Sequence, residues 1–235
     1  MNGPEPQHDE PAYGAATGPA PGAAGAAATP PVSNAVIVHG KPSRAEYYDP
    51  DISSSSNHHW LPWLAKQLIV RDIPAHTPEM PHAYAPNYPL WRQEFERFDI
   101  GPGTLLVGHS CGAGFLVRWL SEHPRVRVNR VVLVAPWLDP DRVEAVDFFD
   151  FHIDDGLVSR TAGVTVVNSD DDTARIQRSV RLLLEHIQGI AYLEFHGYGH
   201  FGVSDLGGIA FPELLPLLTQ PGAHAVVGAG QPAVG

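Results

Sequence analysis

One cysteine, Cys111, is all the sequence contains, so no disulfide can close within the chain and nothing points to an oxidising compartment. Basic residues are scarce too: 15 Lys and Arg face 26 Asp and Glu, a formal net charge of −11. So acidic a chain is a poor match for a nucleic-acid backbone or an anionic bilayer, and neither is expected as its main partner. No stretch approaches the roughly 18 uninterrupted apolar residues that span a membrane. Met1-Asn2-Gly3-Pro4-Glu5-Pro6 carries acid and proline where a signal peptide would carry lysines and an apolar core. The expectation is a cytoplasmic protein that does not contact membranes. Histidines number 13, yet His58-His59 and His76 with His82 lack the accompanying acids or cysteines of a ligand set. No metal and no cofactor is expected.

Large apolar side chains are scarce in residues 1–33 and again in 221–235, which are dominated by Ala, Pro and Gly. Such segments have little to offset their ordering entropy, and both are read as disordered tails. One domain remains, residues 34–220, a size that supports a single core.

Within it, apolar runs without alternation mark strands covered on both faces: Ala35–Gly40, Thr104–Val107, Val128–Pro136, Val164–Asn168 and Ile190–Phe195, with a shorter one near Ile73–His76. Helical spacing marks His59–Leu68, Tyr88–Phe98, Ala113–Leu120, Ile176–Ile187 and Ile209–Leu218. Lys41–Asn57 reads as a loop, and the irregular Asp139–Arg160 as material for a small cap. Strands alternate with helices and no pair shows a two-residue hairpin. The fold class is therefore α/β, a mainly parallel sheet with helices on both faces. Loops at the carboxyl ends of its strands gather along one edge, where chemistry is to be sought.

Gly108-His109-Ser110-Cys111-Gly112 lies there. Gly-x-Ser-x-Gly between a buried strand and a helix is the context of a nucleophile elbow, whose glycines let strand and helix cross closely. A serine hydroxyl needs a base to take its proton and an acid to orient that base. After Ser110 the chain supplies Asp170-Asp171-Asp172 beyond one strand and His200, flanked by glycines, beyond the next. Asp172 is the favoured acid, with Asp171 second; acids not so used are solvated charges or a helix cap. The backbone N–H of Cys111 is the natural first oxyanion donor, and the loop after the first strand, at Lys41 or Gly40, the second. His109 is taken as a packing or hydrogen-bonding residue, and Trp60, Trp63, Trp91 and Trp137 as core or pocket wall.

His39-Gly40, Trp60-Leu61-Pro62-Trp63-Leu64, Pro78-Glu79-Met80-Pro81, Leu106–Gly112, Leu133-Val134-Ala135-Pro136, Ser169–Asp172 and Gly199-His200-Phe201 together resemble the small serine hydrolases of the YdeN and retinoblastoma-binding protein nine type. The resemblance runs over about residues 35–218. It implies an α/β-hydrolase fold with a reduced cap and a Ser-Asp-His triad on Ser110, Asp172 and His200, the acid standing three residues after Ser169. The expected activity is a metal-independent serine hydrolase that cleaves small carboxylic esters through an acyl-enzyme. Amidase or thioesterase activity with the same triad is the alternative within the class, and a catalytically degenerate interaction module the alternative outside it.

Overall fold

The computed structural model describes residues 30–220. The expected tails lie outside the described residues except at 30–33, which dock on the domain: Ser33 N donates to Gly103 O and Asn129 Nδ2 to Pro30 O, both at 2.8 Å.

Six strands form one sheet: β1 (Asn34–Val38), β2 (Ala75–His76), β3 (Thr104–His109), β4 (Val131–Val134), β5 (Val164–Ser169) and β6 (Ala191–Phe195). They pair in the order β2-β1-β3-β4-β5-β6, every pair parallel. Every residue of β3, β4 and β5 is buried, so both faces are covered, as their unbroken apolar character requires. Between and after the strands lie α1 (Arg44–Tyr48), α2 (Leu61–Ile69), α3 (Tyr88–Phe95), α4 (Cys111–Glu122), α5 (Ala174–His186) and α6 (Leu214–Thr219).

The chain steps one way from β1 to β2 and the other way from β3 onward. Right-handed crossovers then put α2 on one face and α3, α4 and α5 on the other. Packing agrees: α6 lies against α2, while Phe95 of α3 sits 5.3 Å from the Phe115 ring and 5.0 Å from the Trp119 ring of α4. The reversal falls between β1 and β3, and a sheet of this kind opens a crevice at that point. Gly40 and Ser110 stand on its two sides.

Beyond shifts of a few residues at element ends, such as β4 starting at Val131 and not Val128, three departures from the sequence reading stand out. The loop expected at Lys41–Asn57 contains α1 and a 3-10 turn, Ser55–Asn57. The cause of α1 is a capping box: Glu46 N donates to Ser43 Oγ at 3.1 Å, and Ser43 N to Glu46 Oε2 at 2.7 Å. The last helix begins at Leu214 and not at Ile209, because Pro212 holds its predecessor out of helical geometry. The irregular Asp139–Arg160 forms 3-10 turns at Asp147–Phe149 and Leu157–Arg160, with Phe148 and Phe149 buried. Among the described residues no helix is long and apolar enough to cross a membrane.

Candidate active site

Ser110 lies between β3 and α4 at φ 54° and ψ −119°, a conformation L residues avoid unless their surroundings enforce it. Its N–H donates to Val134 O at 2.9 Å, and its carbonyl accepts from Gly114 N at 3.2 Å and Trp137 N at 3.1 Å. Close crossing demands the flanking glycines. A Cβ on Gly108 would come within 2.5 Å of Ala113 Cα, and one on Gly112 within 2.4 Å of the His39 and Val38 carbonyl oxygens.

Cys111 opens α4, so its N–H lies outside the helical ladder. Burial pushes its thiol pKa up, which leaves a protonated, unreactive group beside the serine. Across the crevice, a Cβ on Gly40 would sit 3.1 Å from Ser110 Cβ. His39 holds this backbone: Met80 N donates to its Nε2 at 2.9 Å, so its Nδ1 carries the proton and donates to Gly40 O at 2.7 Å. In a trans peptide the Lys41 N–H then points away from His39. The Lys41 ammonium is occupied elsewhere, 3.3 Å from Glu144 Oε2.

His200 projects from the loop after β6. Its Nδ1 bonds Asp172 Oδ2 at 2.8 Å, with the Asp172 side chain 1% exposed and that of His200 40% exposed. Asp172 Oδ1 accepts from Thr173 N at 2.6 Å. The two neighbouring aspartates brace the histidine loop. Asp171 Oδ1 accepts from Ser169 Oγ at 2.6 Å and Gly199 N at 2.9 Å. Asp170 meets His196 Nδ1 at 2.8 Å and Gly197 N at 3.1 Å, contacts that hold its carboxyl below the usual range. Both are exposed, as solvated loop charges would be, but each also holds backbone N–H groups of the histidine loop, and neither caps a helix.

His109 is buried and its Nε2 donates to His200 O at 2.9 Å; burial, then the charge of His200, hold its pKa well down. Its part is packing and hydrogen bonding, as read from the sequence. Asp205, unremarked in the sequence, accepts from both His200 N at 3.0 Å and Gly202 N at 2.9 Å. Its side chain reaches back to N–H groups three and five residues before it, a pattern that no turn signal in the sequence marks. His59, read from the sequence only as one of a histidine pair without a ligand pattern, and Glu79, part of the Pro78–Pro81 segment, line the same cavity.

Ser110, His200, Gly40 and Lys41 open on one cavity of about 590 Å³, walled also by Tyr47, Ser53, His59 and Glu79. Among the described residues no group of three or more His, Cys, Asp and Glu is arranged to hold a metal ion.

A parallel sheet whose third strand ends in a strained serine, with an Asp-His pair beyond the following strands, is an α/β-hydrolase fold presenting a nucleophile elbow. A serine hydrolase family model matches residues 50–220, and the chain belongs to that family. It is a serine hydrolase of the YdeN type: it is 27% identical to the YdeN protein of Bacillus subtilis (strain 168) over 175 residues, 71% of this chain and 90% of that one. The crystal structure of the B. subtilis ydeN gene product matches with a TM-score of 0.65 at 24% identity, covering 80% of this chain and 97% of that one. Serine hydrolase CCSP0084 from Cycloclasticus zankles shares the fold, with a TM-score of 0.50 at 16% identity over 75% of this chain and 86% of its own.

Proposed function

We propose that this serine hydrolase cleaves carboxylic esters through an acyl-enzyme, with Ser110 as nucleophile, His200 as base and Asp172 as the acid that orients it. The observation that carries the reading is the 2.8 Å bond from His200 Nδ1 to the buried Asp172 on a loop that opens into the same cavity as Ser110. With Nδ1 engaged, Nε2 is the nitrogen left to serve the serine. Among the described residues the Ser110 hydroxyl makes no hydrogen bond to His200; such contacts tighten once substrate is seated.

As Ser110 Oγ attacks the ester carbon, its proton passes to His200 Nε2, and Asp172 stabilises the imidazolium. Negative charge gathers on the carbonyl oxygen. The N–H groups of Cys111 and Lys41 are the donors for it, Gly40 leaving room for their approach. His200 returns its proton to the departing alcohol, and a water activated by the same nitrogen releases the acid. The buried Cys111 thiol takes no part.

Ser110→Ala is expected to lower turnover of p-nitrophenyl acetate by at least about 10⁴-fold and to abolish fluorophosphonate labelling with the circular dichroism spectrum unchanged. Retention of turnover and labelling would overturn the reading. Matched thioester and anilide substrates, compared by kcat/KM, decide which acyl bond is preferred.

A further inference from the structure

We infer that His59 is a specificity residue that donates a hydrogen bond to a substrate hydroxyl, making the enzyme selective for short hydroxylated esters. The inference rests on the esterase reading above and concerns the same cavity.

His59 lies between the Ser55–Asn57 turn and α2, at φ 54°. Positive φ is uncommon outside Gly, although Asn, Asp and His adopt it more readily than other residues, and here it sets the direction in which the imidazole leaves the chain. The ring lines the cavity beside Ser110 and His200. It sits 4.1 Å from the His58 ring and 5.6 Å from the His109 ring, and a Cβ on Gly202 would lie 3.6 Å from its Cε1. It is thus wedged against the loop that carries His200.

Its Nδ1 is buried with no hydrogen-bond partner among the described residues. A bare lone pair is less costly to bury unpaired than an N–H, which assigns the proton to Nε2, the nitrogen left for the cavity. Burial, then the charges of His58 and His200, hold its pKa down to about 4, so at neutral pH it is an uncharged donor and not a partner for an anion.

The rest of the wall agrees. Ser53, Ser54 and Ser55 border the cavity with Glu46 and Glu79, and Pro42, Tyr47 and Ile52 stand among its apolar lining. A long alkyl chain would strip water from those hydroxyls and carboxylates without replacing their hydrogen bonds. A carboxylate substrate would meet Glu79 and Asp205. A neutral hydroxyl fits, and a site built to bond one discriminates against its deoxy analogue.

The test compares matched pairs: p-nitrophenyl 3-hydroxybutyrate against the butyrate, for the acyl side, and glyceryl monobutyrate against propyl butyrate, for the alcohol side. Wild-type protein is expected to favour the hydroxylated member of one pair by about tenfold in kcat/KM. In His59→Gly, which relieves the strained backbone, that ratio should fall to within about twofold of unity. Should that variant misfold, His59→Asn, which also accepts positive φ and has a shorter side chain, is read the same way. A wild-type ratio near one in both pairs, or a preference that survives loss of the imidazole, overturns the inference. Absence of Ser110-dependent turnover on all four esters overturns the esterase reading instead.

Discussion

Three consecutive aspartates share one loop and divide its work by the direction each side chain takes after β5. Asp172 turns inward to the His200 ring, while Asp171 accepts from Ser169 Oγ and Gly199 N. Amidation should therefore separate them. Under the proposed mechanism Asp172→Asn would remove the charge that stabilises the imidazolium and favour the wrong tautomer, and kcat for p-nitrophenyl acetate should fall about 10⁴-fold. Asp171→Asn weakens a brace; about 1 kcal/mol of stability and less than tenfold in kcat should be lost. Kinetics and urea midpoints on the two variants check both values, and equal effects would show that the charge of Asp171 also reaches the imidazole.

Among the elements, the crossing of β3 with α4 tolerates the least change. A methyl on Gly112 would meet two carbonyl oxygens of the β1 end at 2.4 Å, and backbone atoms cannot swing aside as side chains do. Gly112→Ala should cost about 3 kcal/mol, read as a lowered urea midpoint. At the other extreme stands α1, which has no buried residue and depends on its cap. Ser43→Ala should cost about 1 kcal/mol of local stability, seen as faster hydrogen exchange at residues 45–48 with the core unaffected. These elements also show what sequence makes legible. Strands covered on both faces must be apolar throughout, so β1, β3, β4 and β5 stand out; Ser110 and Asp172 are visible because each follows such a strand, and His200 because glycines flank it beyond the half-exposed β6. The short α1 hides among Ser, Pro and Asp residues that signal turns, although Ser43 and Glu46 have capping-box spacing. Glu79 and His59 reach the cavity only when separate loops fold together, and no periodicity records that; Asp205 closes its own loop onto His200 N and Gly202 N.

For the molecule as a whole, buried imidazoles tie folding to pH. His39 and His109 are held below the ordinary value of 6.5 by burial, and His59 down to about 4. Between about pH 4 and 6.5 the unfolded chain therefore binds protons that the folded one refuses, and stability is lost as pH falls through that window. Urea midpoints at pH 7, 5.5 and 4.5 should decline in that order, and a flat series would contradict the neutral assignments. The one thiol offers a complementary view of the native state. Cys111 has no accessible surface, is held protonated by burial, and directly follows Ser110, so a thiol reagent can capture it only while the start of α4 is lifted from the sheet. Under native conditions its labelling rate is a clock for breathing of the nucleophile's own turn, built into the chain without any engineered probe. A covalent inhibitor on Ser110 should slow that clock.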